Sequence, residues 1–293
     1  MGEIIPRNQG MRGHQEEITS GNRFAFGANW TQFLGVLNEE RIAMAEESLK
    51  QMLQVNDLQN LSFLDVGSGS GLFSLAARRL GASVHSFDYD PQSVACTSEL
   101  KRRFYQNDSQ WRVEQGSALD ADYMMKLGRY DVVYSWGVLH HTGDMWQALD
   151  NVSRLAVGGR LFISIYNDQG RRSRLWGRVK KLYNAMPSSL KWLVLYPSWV
   201  VLWGPITIVD LMRARPFRTW RDYAKYGARS MHPWHDLVDW VGGLPFEVAK
   251  PEKIFNFFRK KEFLLDRLVT CGGGLGCNQF VFTHNRFKDK HTD

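Results

Sequence analysis

Phe63-Leu64-Asp65-Val66-Gly67-Ser68-Gly69-Ser70-Gly71 places an apolar strand directly before a glycine-rich turn, and Leu72-Phe73-Ser74-Leu75-Ala76-Ala77 continues it in a helical pattern. Glycines are needed where a backbone turns tightly and approaches a ligand with no Cβ in the way, and the first turn of the following helix offers unpaired N–H groups. A nucleoside-type cofactor suits such a turn. Seventeen residues beyond Gly71, a second apolar run ends at Asp88, whose carboxylate can accept hydrogen bonds from both hydroxyls of a ribose. The glycines are spaced G-x-G-x-G, whereas the dinucleotide fingerprint G-x-G-x-x-G would set its last glycine at Leu72; this weighs against a nicotinamide dinucleotide. His140 and His141 follow a fourth apolar run, YDVVYS, and histidine titrates near neutral pH, as a general base must.

Positioning these groups requires a scaffold. Short apolar or β-branched runs alternate with helical patterns: LSFLDV (61–66), SVHSFD (83–88), WRVEQ (111–115), YDVVYS (130–135) and GRLFISIY (159–166). Such alternation builds βαβ units around a parallel sheet. Pro91 after Asp90 opens a helix reaching about Phe104, and apolar residues at helical spacing from Phe33 to Leu53 predict one or two amphipathic helices before the first strand. Residues 251–261 read as a helix, and FLLDRLVTC (263–271) and NQFVFTH (278–284) as strands around GGGLG. A connection that short joins only antiparallel neighbours, since a parallel crossover takes about a dozen residues. The expectation is an α/β fold: a Rossmann-like, seven-stranded, mostly parallel sheet with a terminal antiparallel hairpin, plus a largely helical insertion.

The chain has 293 residues, 44% of them hydrophobic, enough for a full core. Its three cysteines do not resemble a disulfide framework, which fits a reducing, cytoplasmic compartment. Cys271 and Cys277 bracket TCGGGLGC, but two thiols without further ligands make a poor zinc site, so no metal is expected. MGEIIPRNQGMRGHQEE lacks the apolar core of a signal peptide and reads as a loose polar tail. The expected organisation is a flexible tail over residues 1–27, a cofactor-binding domain over 28–166 and 236–285, an insertion or substrate lid over 167–235, and a second tail over 286–293.

FLDVGSGSG, HSFDYD, YDVVYSWGVLHHT and the GGRLFI strand resemble the class I S-adenosylmethionine (SAM)-dependent methyltransferases, closest to the polyprenyl-hydroxybenzoquinol methylase type. The resemblance covers roughly residues 25–166 and 245–284. It implies SAM as cofactor, with Gly67 and Gly69 against its methionine part, Asp65 receiving its ammonium directly or through water, and Asp88 holding its ribose. By the same resemblance Ser117 and Ala118 meet the adenine, Trp136 and Val138 line the adenosyl and methionine pocket, and Arg41 reaches the cofactor's carboxylate. Ser68, Gly71 and Tyr89 complete the cofactor set. Arg41 also reads as a solvated helix charge beside Glu39 and Glu40. His141 matches a histidine of the pattern and is the candidate general base, with His140 as the alternative; a histidine there can instead orient a loop or pack under the cofactor. Where the quinol methylases carry acidic residues, this chain has His140 and Gly137, so neither metal assistance nor the quinol substrate carries over.

Methyl transfer from a sulfonium is an in-line displacement, so the enzyme aligns a nucleophile and, for a hydroxyl or ammonium, removes its proton. The expected function is transfer from SAM to a hydroxyl or amine of a small or lipid-linked molecule. Between Tyr166 and His235 lie Trp176, Trp192, Trp199, Trp203, Trp220 and Trp234, and 13 Lys/Arg stand there against Asp168, Asp210 and Asp222 before Ser230, within a chain of net charge +7. WLVLYPSWVVLWGPITIV (192–209) is nearly all apolar, interrupted by Pro197 and Pro205, with Lys180, Lys181 and Lys191 before it and Arg213, Arg215 and Arg218 after it. Residues 190–212 suit a peripheral segment in a membrane interface, and two prolines argue against a spanning helix. The alternative is a lid whose apolar face covers the active site and whose cations are solvated, and both readings favour an apolar, amphipathic or anionic substrate. An RNA methyltransferase, with Arg on phosphates and Trp on bases, is a second reading; a non-catalytic SAM- or NAD-binding module is a third. His235, Asp236, Asp239 and Trp240 either contribute polar groups to a substrate pocket or cap helices.

Overall fold

A computed structural model describes residues 7–223 and 233–285, so the expected tail over 286–293 lies outside the described residues. The chain opens with α1 (Arg7–Thr19), α2 (Phe26–Leu34) and α3 (Glu39–Leu53) and then alternates: β1 (Ser62–Val66), α4 (Leu72–Arg79), β2 (Ser83–Asp88), α5 (Pro91–Tyr105), β3 (Trp111–Gln115), α6 (Ala121–Leu127), β4 (Val132–Trp136), α7 (Met145–Leu155) and β5 (Arg160–Tyr166). Four further helices follow, α8 (Arg171–Ala185), α9 (Trp192–Met212), α10 (Arg218–Arg221) and α11 (Pro233–Gly242), before α12 (Pro251–Arg259), β6 (Phe263–Val269) and β7 (Cys277–His284).

The seven strands form one sheet in the order β3-β2-β1-β4-β5-β7-β6. β1 to β5 run parallel, with Phe63 beside Val84 on one side and Val132 on the other. β7 is antiparallel to both β5 and β6, which is the expected hairpin. The parallel strands are apolar on both faces because helices cover both. On one face Ile42, Leu49, Leu75 and Leu100 pack on Phe63, Val132 and Phe162; on the other Met124, Leu149, Ile254 and Phe258 pack on Leu64, Val133 and Ile163. Each such buried Leu or Phe stabilises the fold by about 1.5–3 kcal/mol. Helix entry is set by local side chains: Asp90, Asp120 and Asp144 accept from the backbone N–H of Gln92, Tyr123 and Gln147, and Pro91 occupies the first turn of α5.

Chain order reverses at β1, with β2 on one side and β4 on the other. In open α/β sheets the crevice at the carboxyl ends of the two strands flanking such a switch point receives the ligand.

Two expectations need correction. Residues 7–19 are helical, where a loose polar tail was expected. The helix docks through polar groups rather than an apolar stripe: His14 is buried with its ring on Tyr89 and its Nε2 3.8 Å from Asp90. The helical insertion also extends past residue 235, because α11 buries Leu237 and Val241 in the same small core as Trp176, Tyr183, Val194, Leu195 and Trp203. Asn184 Nδ2 donates to the Gly242 carbonyl at 2.6 Å, and Lys180 Nζ donates to the Trp240 carbonyl, tying α8 to α11. Pro197 and Pro205 interrupt the apolar run in composition only, since α9 continues through both.

Candidate active site

The glycine turn leaves β1 with Gly67 at φ +79° and Gly69 at φ +55°, conformations that side chains rarely adopt. A Cβ on Gly67 would stand 2.3 Å from Val138 Cγ1, and one on Gly69 would stand 3.0 Å from the Trp30 ring of α2. Gly69 N–H donates to Asp88 Oδ2 and Asp90 N–H to Asp88 Oδ1, both at 2.9 Å, so the carboxylate at the end of β2 is aimed at the glycine turn. Ser68 Oγ lies 2.9 Å from Thr97 Oγ1, pinning the turn to α5. Gly71 shapes the entry to α4 at φ +81° and does not line the pocket.

Asp65 is buried and Asp88 half-buried, and the two carboxyls interact electrostatically. Burial pushes Asp65 up to about 7, although Ser74 Oγ donates to it at 2.5 Å; the neighbouring Asp88 charge pushes the same way. Asp88 is pushed up to about 6, again by burial, against the two backbone donors. Two acids so placed favour a ligand that brings positive charge and hydroxyl donors.

Around this pair closes a cavity of about 250 Å³, of small-molecule rather than macromolecular size. Ser117 and Ala118, after β3, form one wall, and Asn151 Nδ2 fixes the Ala118 carbonyl at 2.8 Å. Trp136 and Val138, after β4, form another, with Trp136 Nε1 donating to Gln279 Oε1 of β7 at 3.0 Å. Tyr89 stands beneath the guanidinium of Arg23, 4.8 Å from its ring centre. Of the sequence-derived set, Asp65, Gly67, Ser68, Gly69, Asp88, Tyr89, Ser117, Ala118, Trp136, Val138 and His141 are thus brought together.

Arg41 and His140 are not. Arg41 stands at the start of α3, where its N–H is capped by Asn38 and its guanidinium lies 5.7 Å from the Phe33 ring, outside the cavity lining. Arg23 lines the cavity where Arg41 does not: it binds Glu17 and donates to the His141 carbonyl at 3.1 Å. The ring of His140 is fully buried behind the wall, where its Nδ1 accepts from the Tyr166 N–H at 3.3 Å and its face lies 3.9 Å from the Tyr166 ring. His141 lines the cavity, and its Nδ1 donates to the Pro245 carbonyl at 2.6 Å.

Sequence reasoning missed His14, Glu17, Arg23, Phe26 and Trp30 as wall residues. The readable signal was Gly27 inside FAFGANW, whose N–H donates to Asp90 Oδ2 at 2.8 Å and where a Cβ would meet Gln92 Cβ at 2.4 Å. Asp239 also faces the cavity, held by Asn29 Nδ2 at 2.5 Å, so it serves the pocket rather than a helix cap; the His235 side chain lies outside the described residues. Cys271 and Cys277 flank the β6–β7 connection and are not joined in a disulfide. Among the described residues, no group of three or more His, Cys, Asp or Glu is placed to hold a metal.

The residues present fit SAM: a glycine cradle that any Cβ would fill, a carboxyl at Asp65 for an ammonium, a second at Asp88 for a ribose, and the Ser117–Ala118 wall for a purine. Comparison with known proteins agrees. Residues 37–250 match the family described as a methyltransferase domain. The chain is 34% identical over 115 residues to the ribosomal protein L11 methyltransferase of Methylococcus capsulatus, covering 39% of this chain and 36% of that protein. It is 32% identical over 120 residues to the ubiquinone biosynthesis O-methyltransferase of Parvibaculum lavamentivorans, covering 39% of this chain and 43% of that protein. The matched stretch spans less than half the length of either relative. Among solved structures, the magnesium protoporphyrin IX methyltransferase of Synechocystis PCC 6803 with bound S-adenosylhomocysteine (SAH) superposes with a TM-score of 0.48 at 15% identity, covering 97% of this chain and 90% of that one. With the family match extending over most of its length, from just before α3 through the insertion, the chain belongs to the methyltransferase-domain family, as a class I, SAM-dependent member.

Proposed function

We propose that this protein transfers the methyl group of SAM to a hydroxyl or amine of a small or lipid-linked molecule, with His141 as the general base. The observation that carries the proposal is the 2.6 Å hydrogen bond from His141 Nδ1 to the Pro245 carbonyl. A carbonyl only accepts, so Nδ1 carries the proton and the lone pair of the neutral imidazole resides on Nε2. Bound SAM supplies an electrophilic methyl on a sulfonium. The protein's own part is to align the acceptor and take its proton. The Arg23 bond to the His141 carbonyl and the ring contacts of Phe26 and Tyr166, at 4.9 and 5.3 Å, fix the imidazole's orientation.

The lining also narrows the substrate. Beyond Asp65 and Asp88, which the cofactor takes, Glu17, Asp90 and Asp239 line the cavity, and among the described residues Arg23 is its only Lys or Arg. A reacting group that is neutral or cationic suits this wall, whereas phosphate or carboxylate beside the base does not. This supports a small or lipid-linked acceptor over RNA, and within the expected substrate range it removes the anionic reacting end.

The test is His141→Asn assayed against a panel of hydroxyl and amine acceptors, with SAH binding followed by calorimetry. Turnover should fall by roughly 10²–10⁴ while SAH affinity holds. Unchanged turnover on every acceptor would remove His141 from the chemistry.

A further inference from the structure

α9 is apolar on both of its faces, and only one of them meets protein. Val194, Leu195, Ser198 and Trp203 turn inward against α8 and α11. Trp192, Leu193, Tyr196, Val200 and Val201 in its first half and Ile206, Ile208, Val209, Leu211 and Met212 in its second are all exposed, Val201 by 66% and Met212 by 84%. A helix of 21 residues at about 1.5 Å each makes this an apolar stripe about 30 Å long. Monomeric soluble proteins rarely leave a contiguous apolar surface of that extent uncovered.

Charge identifies what covers it. Arg213, Arg215 and Arg218 are exposed where α9 ends, Lys191 stands where it begins, and Arg171, Arg174, Arg178 and Lys181 are exposed along the adjacent α8. Leu175 and Leu182 emerge among these cations. Apolar residues with tryptophan and tyrosine on one surface, rimmed by arginine and lysine, match the headgroup and acyl boundary of a bilayer carrying anionic lipid.

Length and hydropathy alone would let the segment Ser188–Met212 cross a membrane. Two features favour lying flat. The inner face shares a core with Trp176, Tyr183, Leu237 and Val241, and crossing would strip it from them. Pro197 and Pro205 both lie on the exposed side and remove the N–H partners of the Leu193 and Val201 carbonyls, which an interface can hydrate and hydrocarbon cannot.

We infer that α9 docks the protein flat on an anionic bilayer, its outer stripe in the acyl boundary and the flanking cations at the headgroups. This rests on the surface alone and is independent of the methyl acceptor. The experiment is co-sedimentation of the full chain with phosphatidylcholine vesicles, with and without about a third phosphatidylglycerol. The wild-type protein should bind the anionic vesicles roughly tenfold more strongly, and raised salt should narrow that difference. Val200→Glu with Val201→Glu should abolish binding to both, with SAH affinity and melting temperature retained. Arg213→Glu with Arg215→Glu should erase the preference for anionic lipid, which keeps the test decisive if the first variant misfolds. Wild-type protein remaining in the supernatant with both vesicles overturns the proposal. So does a vesicle-free dimer in velocity sedimentation that the valine variant dissociates, and so does material extracted only by detergent, which marks a spanning helix.

Discussion

Asp65 and Asp88 ionise in the unfolded chain near 3.8, yet in the folded protein only near about 7 and about 6. Between those limits the folded state holds more protons than the unfolded one, so stability falls as pH rises through this window, and the full penalty persists above it. An ammonium and a ribose favour the ionised forms and reverse the penalty. SAH affinity should therefore rise roughly tenfold from about pH 5 to about pH 7, with net proton release seen by calorimetry in buffers of different ionisation enthalpy. Affinity flat across that range, without proton release, would mean that neither carboxyl meets the ligand. These acids were legible because strand ends and glycine turns leave a strong local pattern. Arg41 was misplaced for a physical reason: its immediate surroundings, Asn38-Glu39-Glu40, serve to start a helix, and nothing in those neighbours encodes which way the side chain leaves it. Arg23 was missed because the polar, aperiodic stretch around it docks through hydrogen bonds and ring contacts that leave no hydrophobic period to read.

At the scale of elements, the β1–α4 turn walls the cavity from one side, and α1 with the α1–α2 connection walls it from the other. Gly67 and Gly158 share nearly the same φ, +79° and +80°, but a Cβ on Gly158 meets nothing within 4 Å. Gly158→Ala should thus cost about 1–2 kcal/mol from conformation alone, and Gly67→Ala distinctly more because Val138 must also move. Urea midpoints of the two variants check this, and equal losses would mean that Val138 yields freely. From the other side, Arg23→Ala removes the bond to the His141 carbonyl and the cation over Tyr89. SAH affinity should fall by about tenfold and turnover with it, whereas Arg41→Ala should leave both within about twofold. Reversed effects in the two variants would return the role to Arg41. The strands themselves were readable within a residue or two because buried parallel strands are apolar runs bounded by turns. The faces of α9 were not, since a run apolar all round carries no period that separates inside from outside.

Across the whole molecule, the chain is a charged layer over a mildly acidic catalytic half. The insertion has its own core, centred on Trp203, whose indole lies 4.6 Å from the Trp220 ring. Trp203→Ala should destabilise by about 3–5 kcal/mol. Because α11 both contributes to that core and holds Asp239 in the cavity, turnover should fall with it, while SAH binding to the β1–β4 half should survive. Hydrogen exchange resolved by segment would reveal the loss, and unchanged protection across α8 to α11 would count against a shared core.

The place of β7 between β5 and β6 has one more effect. Ile163 pairs with Phe280, and the entire insertion lies between them in the chain. On a ribosome, β1 to β4 emerge with the strands that carry the nucleoside cradle, while β5 waits with an open edge through the synthesis of α8 to α12 and β6. The arrival of Gln279 adds the brace from β7 to Trp136. Translation thus makes the cradle early and its last buttress late, and the nascent chain has greatest need of a chaperone between the two.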